Sequence, residues 1–263
     1  MPDPEAPSAS SIRPGAEPFQ MAGGPAGALL LHGFTGSPAS LRPLGEYLAA
    51  NGAAVVCPLL PGHGTSRWLD LAAATSGSWA AAADAGLDAL AGNDPVVVVG
   101  LSMGAALALE LAARRPDRVT GIVLVNPYVR DPRLAAAGVL RTVLPSVKGI
   151  GNDIKKPGQD EMCNDRIPVR TLAQVHALHR ATADAMTRVR QPLLILASTE
   201  DHAIGDKNPP YVMQRVASTS KEVVPLTNSY HVATLDNDAE VIDERTLAFL
   251  RSLGTAAEAT DAG

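Results

Sequence analysis

Cys57 and Cys163 are the only thiols in 263 residues, and aromatic side chains make up 3% of the chain. Two cysteines are too few for a disulfide scaffold. Cys57 also closes an apolar, strand-like run where a thiol packs as a small hydrophobe, so both read as unpaired. No stretch approaches the roughly 18 consecutive apolar residues of a membrane-spanning helix. A basic stripe is missing too: 22 Lys and Arg are scattered among 27 Asp and Glu for a net charge of -5, which argues against a nucleic-acid partner. The opening MPDPEAPSASSIRPG has acids and prolines where a secretory leader needs a basic stretch and an apolar core, so a cytoplasmic location is expected. Residues 1–14 and 255–263 are poor in large apolar side chains and read as disordered tails, unable to offset their ordering entropy.

Apolar residues nonetheless make up 46% of the chain, ample for one large core. Short apolar runs at 28–31, 53–57, 96–99, 121–125, 193–196 and 222–226 alternate with stretches of helical spacing. In one of these, 38–50, Leu41, Leu44, Tyr47 and Leu48 recur on one face, with Ser37 as N-cap and Asn51-Gly52 as the stop. Others run from a Ser78 cap to about residue 90, over 211–217 and over 238–253. Strands alternating with helices predict an α/β fold, a mostly parallel sheet flanked by helices. Between 125 and 192 about sixty residues lack a comparable strand. A structureless loop of that length does not suit a compact domain. Residues 127–188 therefore read as a small helical cap insertion, with its clearest helix at 172–189, and residues 15–126 and 189–254 as the core.

Residues 96–111, VVVVGLSMGAALALEL, organise the rest: four β-branched residues, a Gly-Leu-Ser-Met-Gly turn and an Ala/Leu helix. The pattern G-x-S-x-G between strand and helix is a nucleophile elbow, whose strained backbone lifts the Ser102 hydroxyl above the strand ends. Gly100 and Gly104, without Cβ atoms, let strand and helix pass closely.

A serine hydroxyl becomes a nucleophile only when a base takes its proton, and an acid must hold that base in the right tautomer. Ligands gather at the carboxyl ends of parallel strands, so the partners should lie just after strands. Asp201 follows the 193–198 run and His231 follows 222–226, giving the order Ser102, Asp201, His231. Glu200 and Asp206 share the acid's loop, and Glu200 is the alternative acid. His202 comes one strand too early, His63 sits in a Pro-Gly-x-Gly turn, and His176 and His179 fall on the cap helix. Asp236 and Asp238 lie just past His231, with Asp238 as N-cap of the last helix. Oxyanion donors are expected from the backbone N–H groups of Met103, in the elbow, and of Phe34, in the HGFTG loop after the first strong strand. This chemistry calls for neither metal nor cofactor.

With HGFTG, PGHGT, GLSMG, STEDH and NSYHVATLD in this order, the chain resembles the α/β-hydrolase superfamily and, within it, bacterial monoacylglycerol lipases and related carboxylesterases. The resemblance implies the same nucleophile, triad partners and oxyanion donors. It also implies a cap acid that reads glycerol hydroxyls: IGNDIKKPGQDE resembles that segment and ends in Glu161, with Ile150 at its start a candidate pocket wall. A solvated cap surface of Asp160, Glu161 and Asp165 is the competing account. The run 134–144, LAAAGVLRTVL, is apolar enough to line an acyl pocket or touch a lipid surface transiently, though such a run more often serves ordinary packing between cap and core. The expected activity is hydrolysis of small lipid esters of monoacylglycerol type. A general short-chain carboxylesterase is the alternative, and a ligand-binding protein that has lost the chemistry stands behind it.

Overall fold

The computed structural model describes residues 12–137, 144–149 and 151–261, with side-chain surroundings described as far as residue 254. Seven strands form one sheet in the order β1-β3-β2-β4-β5-β8-β9. They are β1 (Phe19–Met21), β2 (Gly27–Leu31), β3 (Ala54–Cys57), β4 (Val96–Leu101), β5 (Gly121–Val125), β8 (Leu193–Ser198) and β9 (Lys221–Leu226). Only β1 runs antiparallel, to β3; every other neighbour is parallel. Six α-helices are described: α1 (Arg42–Ala50), α2 (Ser76–Asp88), α3 (Met103–Arg114), α4 (Val169–Ala185), α5 (Asn208–Arg215) and α6 (Ala239–Asp261).

Successive side chains on a strand point to opposite faces, and both faces here are covered, so each apolar run feeds two cores at once. Leu29, Val98, Leu124 and Ile195 pack with Trp79, Leu107, Leu178 and Val212 beneath α2, α3, α4 and α5. The intervening Leu30, Val97, Val123 and Leu194 pack with Leu44, Leu48, Ile242 and Leu250 beneath α1 and α6. Each fully buried Leu, Val or Ile contributes about 1.5–3 kcal/mol. The sheet is thereby a stiff platform, and the loops at its carboxyl edge carry the chemistry.

Local signals held in kind more often than in position. The helix expected to start from Ser78 is capped one turn earlier, by Thr75. Ser78 is the reciprocal partner of that capping box, each side chain taking the other's N–H. Ser37 does cap, but a 3-10 turn, Pro38–Leu41, that leads into α1. Helix α6 continues to Asp261, through the stretch from Thr255 predicted as a tail, whose alanines favour helix. At the other end residues 1–11 lie outside the described residues. Ile12 bridges to Thr65, and Arg13 donates from its backbone to Gly64 O and from its guanidinium to Met162 O, so 12–14 is tied to the body of the protein.

The predicted cap, 127–188, divides in two. Helix α4 lies against α3, with Val175 and Leu178 in the shared core and Thr182 Oγ1 donating to Ala106 O at 3.2 Å, so it is a covering helix of the sheet. What crosses the carboxyl edge is the rest, including two antiparallel strands, β6 (Ser146–Lys148) and β7 (Arg166–Pro168), too short to show a period in sequence. Residues 138–143 of this segment lie outside the described residues. No helix among the described residues is long and apolar enough to cross a membrane.

Candidate active site

Strand β4 delivers the chain into the elbow, and α3 leaves it at Met103. Ser102 sits between them at φ 54° and ψ -116°, a conformation rare for a residue with a side chain. The surroundings hold it there: Ser102 N–H donates to Val125 O at 3.0 Å, and Ser102 O accepts from Tyr128 N–H at 3.0 Å. The flanking glycines are obligatory in space. A Cβ on Gly100 would lie 2.4 Å from Gly104 O, and one on Gly104 would lie 1.9 Å from Leu31 O.

The loop after β8 carries Asp201 and the loop after β9 carries His231, and the three side chains meet. Ser102 Oγ is 2.9 Å from His231 Nε2, and His231 Nδ1 is 2.7 Å from Asp201 Oδ2. A proton on Nδ1 serves the carboxylate and leaves the Nε2 lone pair facing the serine hydroxyl, the tautomer a base needs. The other Asp201 oxygen accepts from the N–H groups of Ala203 at 3.0 Å and Ile204 at 2.9 Å. Burial pushes this carboxyl up, but the hydrogen bond and charge of His231 and the two amides outweigh it and hold Asp201 below the usual carboxylate range. Ser102 is 7% exposed, and the exposed fraction opens into a cleft.

The competing residues have other partners. Glu200 pairs with Lys155 Nζ at 3.2 Å, and Asp206 lines two neighbouring cavities and not the cleft of Ser102. His202 is exposed and faces Asp153. His63 is buried with its Nδ1 on Pro61 O, His176 is half-buried on α4, and His179 packs edge-on against Tyr128. Asp238 stands just before α6, with its carboxylate turned to Asn228 N–H. Asp236 is 1% exposed and serves backbone amides.

Phe34 and Gly33 line the cleft beside Ser102, and Met103 opens α3, where the first amides have no acceptor within the helix. The Phe34 N–H belongs to the same peptide unit as Gly33 O, and Gly33 O receives His32 Nδ1 at 2.9 Å. His32 Nε2 in turn accepts Leu60 N–H at 3.0 Å, which fixes the tautomer. Burial, with His63 beside it, lowers His32 to about 3, so a neutral ring holds this peptide.

The cleft encloses about 560 Å³ including its open mouth, walled by Leu101, Ile167, Ile204 and Val232. Glu161 enters it from the crossing segment, with Oε2 3.3 Å from where a Gly36 Cβ would stand. Burial raises this carboxyl to about 7, against the opposing effects of His231 and a hydrogen bond to Cys163. Asp160 is occupied with Asn152 Nδ2 and Met162 N–H, and Asp165 is exposed. Ile150 lies outside the described residues, as does most of 134–144; exposed Leu144 ends that run. Cys57 and Cys163 are free thiols. Among the described residues no group of three or more His, Cys, Asp or Glu is placed to hold a metal ion.

Two residues at the site escaped the sequence reading. Asn126, φ 43°, donates from Nδ2 to His231 O at 2.7 Å and accepts Ser198 N–H at 2.7 Å. Asp153 accepts N–H groups from both the acid loop and the base loop. Both hold backbone in distant segments, and only the Asn126-Pro127 step after a strand hinted at either.

The family described as serine aminopeptidase, S33, matches residues 26–238, a span holding every residue named above for the chemistry. The chain belongs to the serine aminopeptidase S33 family. Among relatives of this S33 hydrolase, the thermostable monoacylglycerol lipase of Bacillus sp. (strain H-257) is 42% identical over 237 residues, 89% of this chain and 94% of that protein. The carboxylesterase of Bacillus subtilis (strain 168) is 26% identical over 239 residues, 90% of this chain and 97% of that protein. A solved structure from work on the metagenome-derived lipolytic enzymes LipS and LipT superimposes with a TM-score of 0.88 at 40% identity, covering 92% of this chain and all of that one. The fold of this S33 hydrolase is thus the α/β-hydrolase fold.

Proposed function

We propose that this chain is a serine ester hydrolase that cleaves monoacylglycerols to glycerol and fatty acid through an acyl-Ser102 intermediate. Its 42% identity to a monoacylglycerol lipase over nearly its whole length supports the substrate class. The observation that carries the reading is Glu161, a half-buried carboxyl facing the same cleft as Ser102 and His231. A carboxylate there accepts hydrogen bonds from a diol, while the apolar walls take the acyl chain.

In this reading His231 Nε2 takes the Ser102 proton as Oγ attacks the ester carbonyl carbon. The oxyanion meets the N–H groups of Phe34 and Met103, and Asp201 stabilises the imidazolium. The imidazolium then gives its proton to the departing glycerol oxygen. Water enters, His231 takes its proton as the water oxygen attacks the acyl carbonyl carbon, and the C–Oγ bond breaks: the acyl group leaves as the fatty acid, and the imidazolium returns the proton to Ser102 Oγ.

The Bacillus subtilis relative favours a second reading, a general carboxylesterase on the same residues. The family description adds a peptidase. One panel separates the three: a medium-chain monoacylglycerol, a diacylglycerol, a p-nitrophenyl ester and an aminoacyl p-nitroanilide. Strong preference for the monoacylglycerol is expected. Cleavage of the nitrophenyl ester alone leaves the carboxylesterase, and anilide turnover ahead of both esters leaves the peptidase.

A further inference from the structure

Residues 152–156 cross the carboxyl edge of the sheet as an irregular strap, eight residues upstream of Glu161 at the point of Asp153. Its Asp153 carboxylate is 13% exposed and turned inward. Oδ2 accepts the backbone N–H of His202 at 3.0 Å and the backbone N–H of His231 at 3.2 Å. Oδ1 meets His202 Nδ1 at 3.0 Å, and the Asp153 carbonyl accepts Val232 N–H at 3.1 Å. One side chain thus grips the residue after Asp201 and the base residue itself.

The grip is opposed from the core. Asn126, at the end of β5, holds His231 O at 2.7 Å, so the backbone of the base is bracketed, its N–H by the strap and its C=O by the sheet. A second clasp keeps the strap in place: the buried Asp236 carboxylate accepts Lys155 N–H at 2.7 Å, Lys156 N–H at 2.8 Å and Tyr230 N–H at 2.8 Å. Lys155 Nζ reaches Glu200 at 3.2 Å, so strap, acid loop and base loop are stitched at several points.

The geometry points to Asp153 as a positioning residue for both partners of Ser102: it sets the spacing of the loops that present Asp201 and His231 and couples that spacing to the segment bearing Glu161. The assignment rests on Ser102, Asp201 and His231 acting as proposed above. Asp153 touches no reacting atom. It reaches His231 through a backbone amide, and the acid loop through the His202 amide and ring, so what matters at the base is an acceptor oxygen at that point, not its charge. A misplacement of about 1 Å at a reacting group costs on the order of 100-fold in rate, which sets the scale expected when the acceptor is lost.

The test uses the full chain and the variants Asp153→Ala and Asp153→Asn. It reads kcat and KM on a monoacylglycerol and on a p-nitrophenyl ester with the same acyl chain, and the rate at which a fluorophosphonate labels Ser102. Asp153→Ala should lose about 100-fold in kcat on both esters and slow labelling in parallel, with KM little changed. Asp153→Asn, which keeps one acceptor oxygen, should stay within about tenfold of the unaltered protein. Unchanged labelling in the alanine variant, a KM effect confined to the monoacylglycerol, or an asparagine variant as slow as the alanine one would each overturn the proposal. If thermal unfolding shows the alanine variant unfolded, Asp153→Ser replaces it, expected between the other two; a labelling rate equal to that of the unaltered protein overturns the proposal there too. Failure of Ser102 to label in the unaltered protein removes the nucleophile assignment itself, and the positioning role with it.

Discussion

The elbow and the crossing segment that holds the strap line one cleft, the elbow at Leu101 and Ser102 and the segment at Gly151, Glu161 and Ile167, and elbow and strap are built in opposite ways. The elbow is regular structure throughout: β4 is buried along its whole length, nine of the twelve residues of α3 are buried, and backbone packs on backbone at Gly100 and Gly104. The strap has no regular structure; its Asp153 carboxylate accepts backbone amides of two other loops, and its own amides at Lys155 and Lys156 donate to the Asp236 carboxylate. Close packing permits only one arrangement, which suits a nucleophile that must stay in a strained conformation. A segment held by a few hydrogen bonds can change its length and its side chains between those points of attachment without disturbing the sheet, which suits the stretch downstream of Asp153 that reads the substrate. The contrast therefore assigns the chemical step to the elbow and to the loops that Asp153 positions against it, and choice of substrate to the segment that runs on from the strap to Glu161 and β7, and each variant below acts on one side of it.

The largest effect should come from the elbow. Ser102→Ala should lower kcat by about a millionfold on every ester, as removal of a serine nucleophile does elsewhere. Turnover by single-cycle and steady-state assay reads it, and appreciable residual hydrolysis would move the chemistry away from the elbow. Next comes the acid. Asp201→Asn should cost about 10⁴-fold in kcat by favouring the wrong imidazole tautomer. Glu200→Gln, one residue away but turned to Lys155 at the surface, should cost less than about tenfold. Equal losses in the two variants would mean the loop acts through its net charge, and the division of labour between neighbours would fail.

Those two predictions concern the part of the molecule that was legible. An apolar run, a G-x-S-x-G turn and an Ala/Leu helix state the elbow in consecutive letters, and residues just after strands proposed Asp201 and His231. The fold class followed from the same alternation, since each run of β4 or β5 supplies both faces of a covered sheet. The strap was illegible for a physical reason. Asp153 and Asn126 bind backbone N–H and C=O groups that any residue carries, contributed from 78 and 105 positions away, so no spacing marks them. Helix α4 was found but misassigned, because an apolar stripe tells that a helix is covered and not by what. Strands β6 and β7, three residues each, were too short for periodicity to register.

Beyond the strap, on the part of the crossing segment that carries Glu161 and β7, the expected effects are smaller and substrate-dependent. Glu161→Gln should weaken kcat/KM for a monoacylglycerol by about 10- to 100-fold, the worth of one or two hydrogen bonds to a charged acceptor, and leave a p-nitrophenyl ester nearly unchanged. The same carboxyl gives a pH signature. Burial raises it to about 7, so it is protonated below that pH and an anionic acceptor above it. KM for the monoacylglycerol should therefore fall as pH rises through 7, KM for the nitrophenyl ester should not, and Glu161→Gln should abolish the difference. Stability runs the other way: the unfolded carboxyl ionises near 4.5, so the advantage of the buried neutral acid is full below that value and is lost as pH rises towards 7. A KM profile that is the same for both esters would take Glu161 out of substrate recognition.

The smallest step is one methylene. The cleft walls Leu101, Ile167, Ile204 and Val232 offer an acyl chain only apolar contact, so each added CH₂ that remains enclosed gains about 0.8 kcal/mol, or about fourfold in affinity. Since these contacts do not change between bound ester and transition state, the gain should appear in KM while kcat stays level. A series of monoacylglycerols differing by two carbons should show KM falling by about 16-fold per member until the chain outgrows the cleft, and then levelling. The chain length at the break measures how far the apolar wall extends. A break that moves when Ile167, the central residue of β7, is changed to alanine, but not when the elbow is altered, would place acyl selection on the crossing segment. If instead kcat rises with chain length, the far end of the chain is helping to order the loops of Asp201 and His231, and rate and choice are not divided between the two sides of the cleft as the architecture suggests.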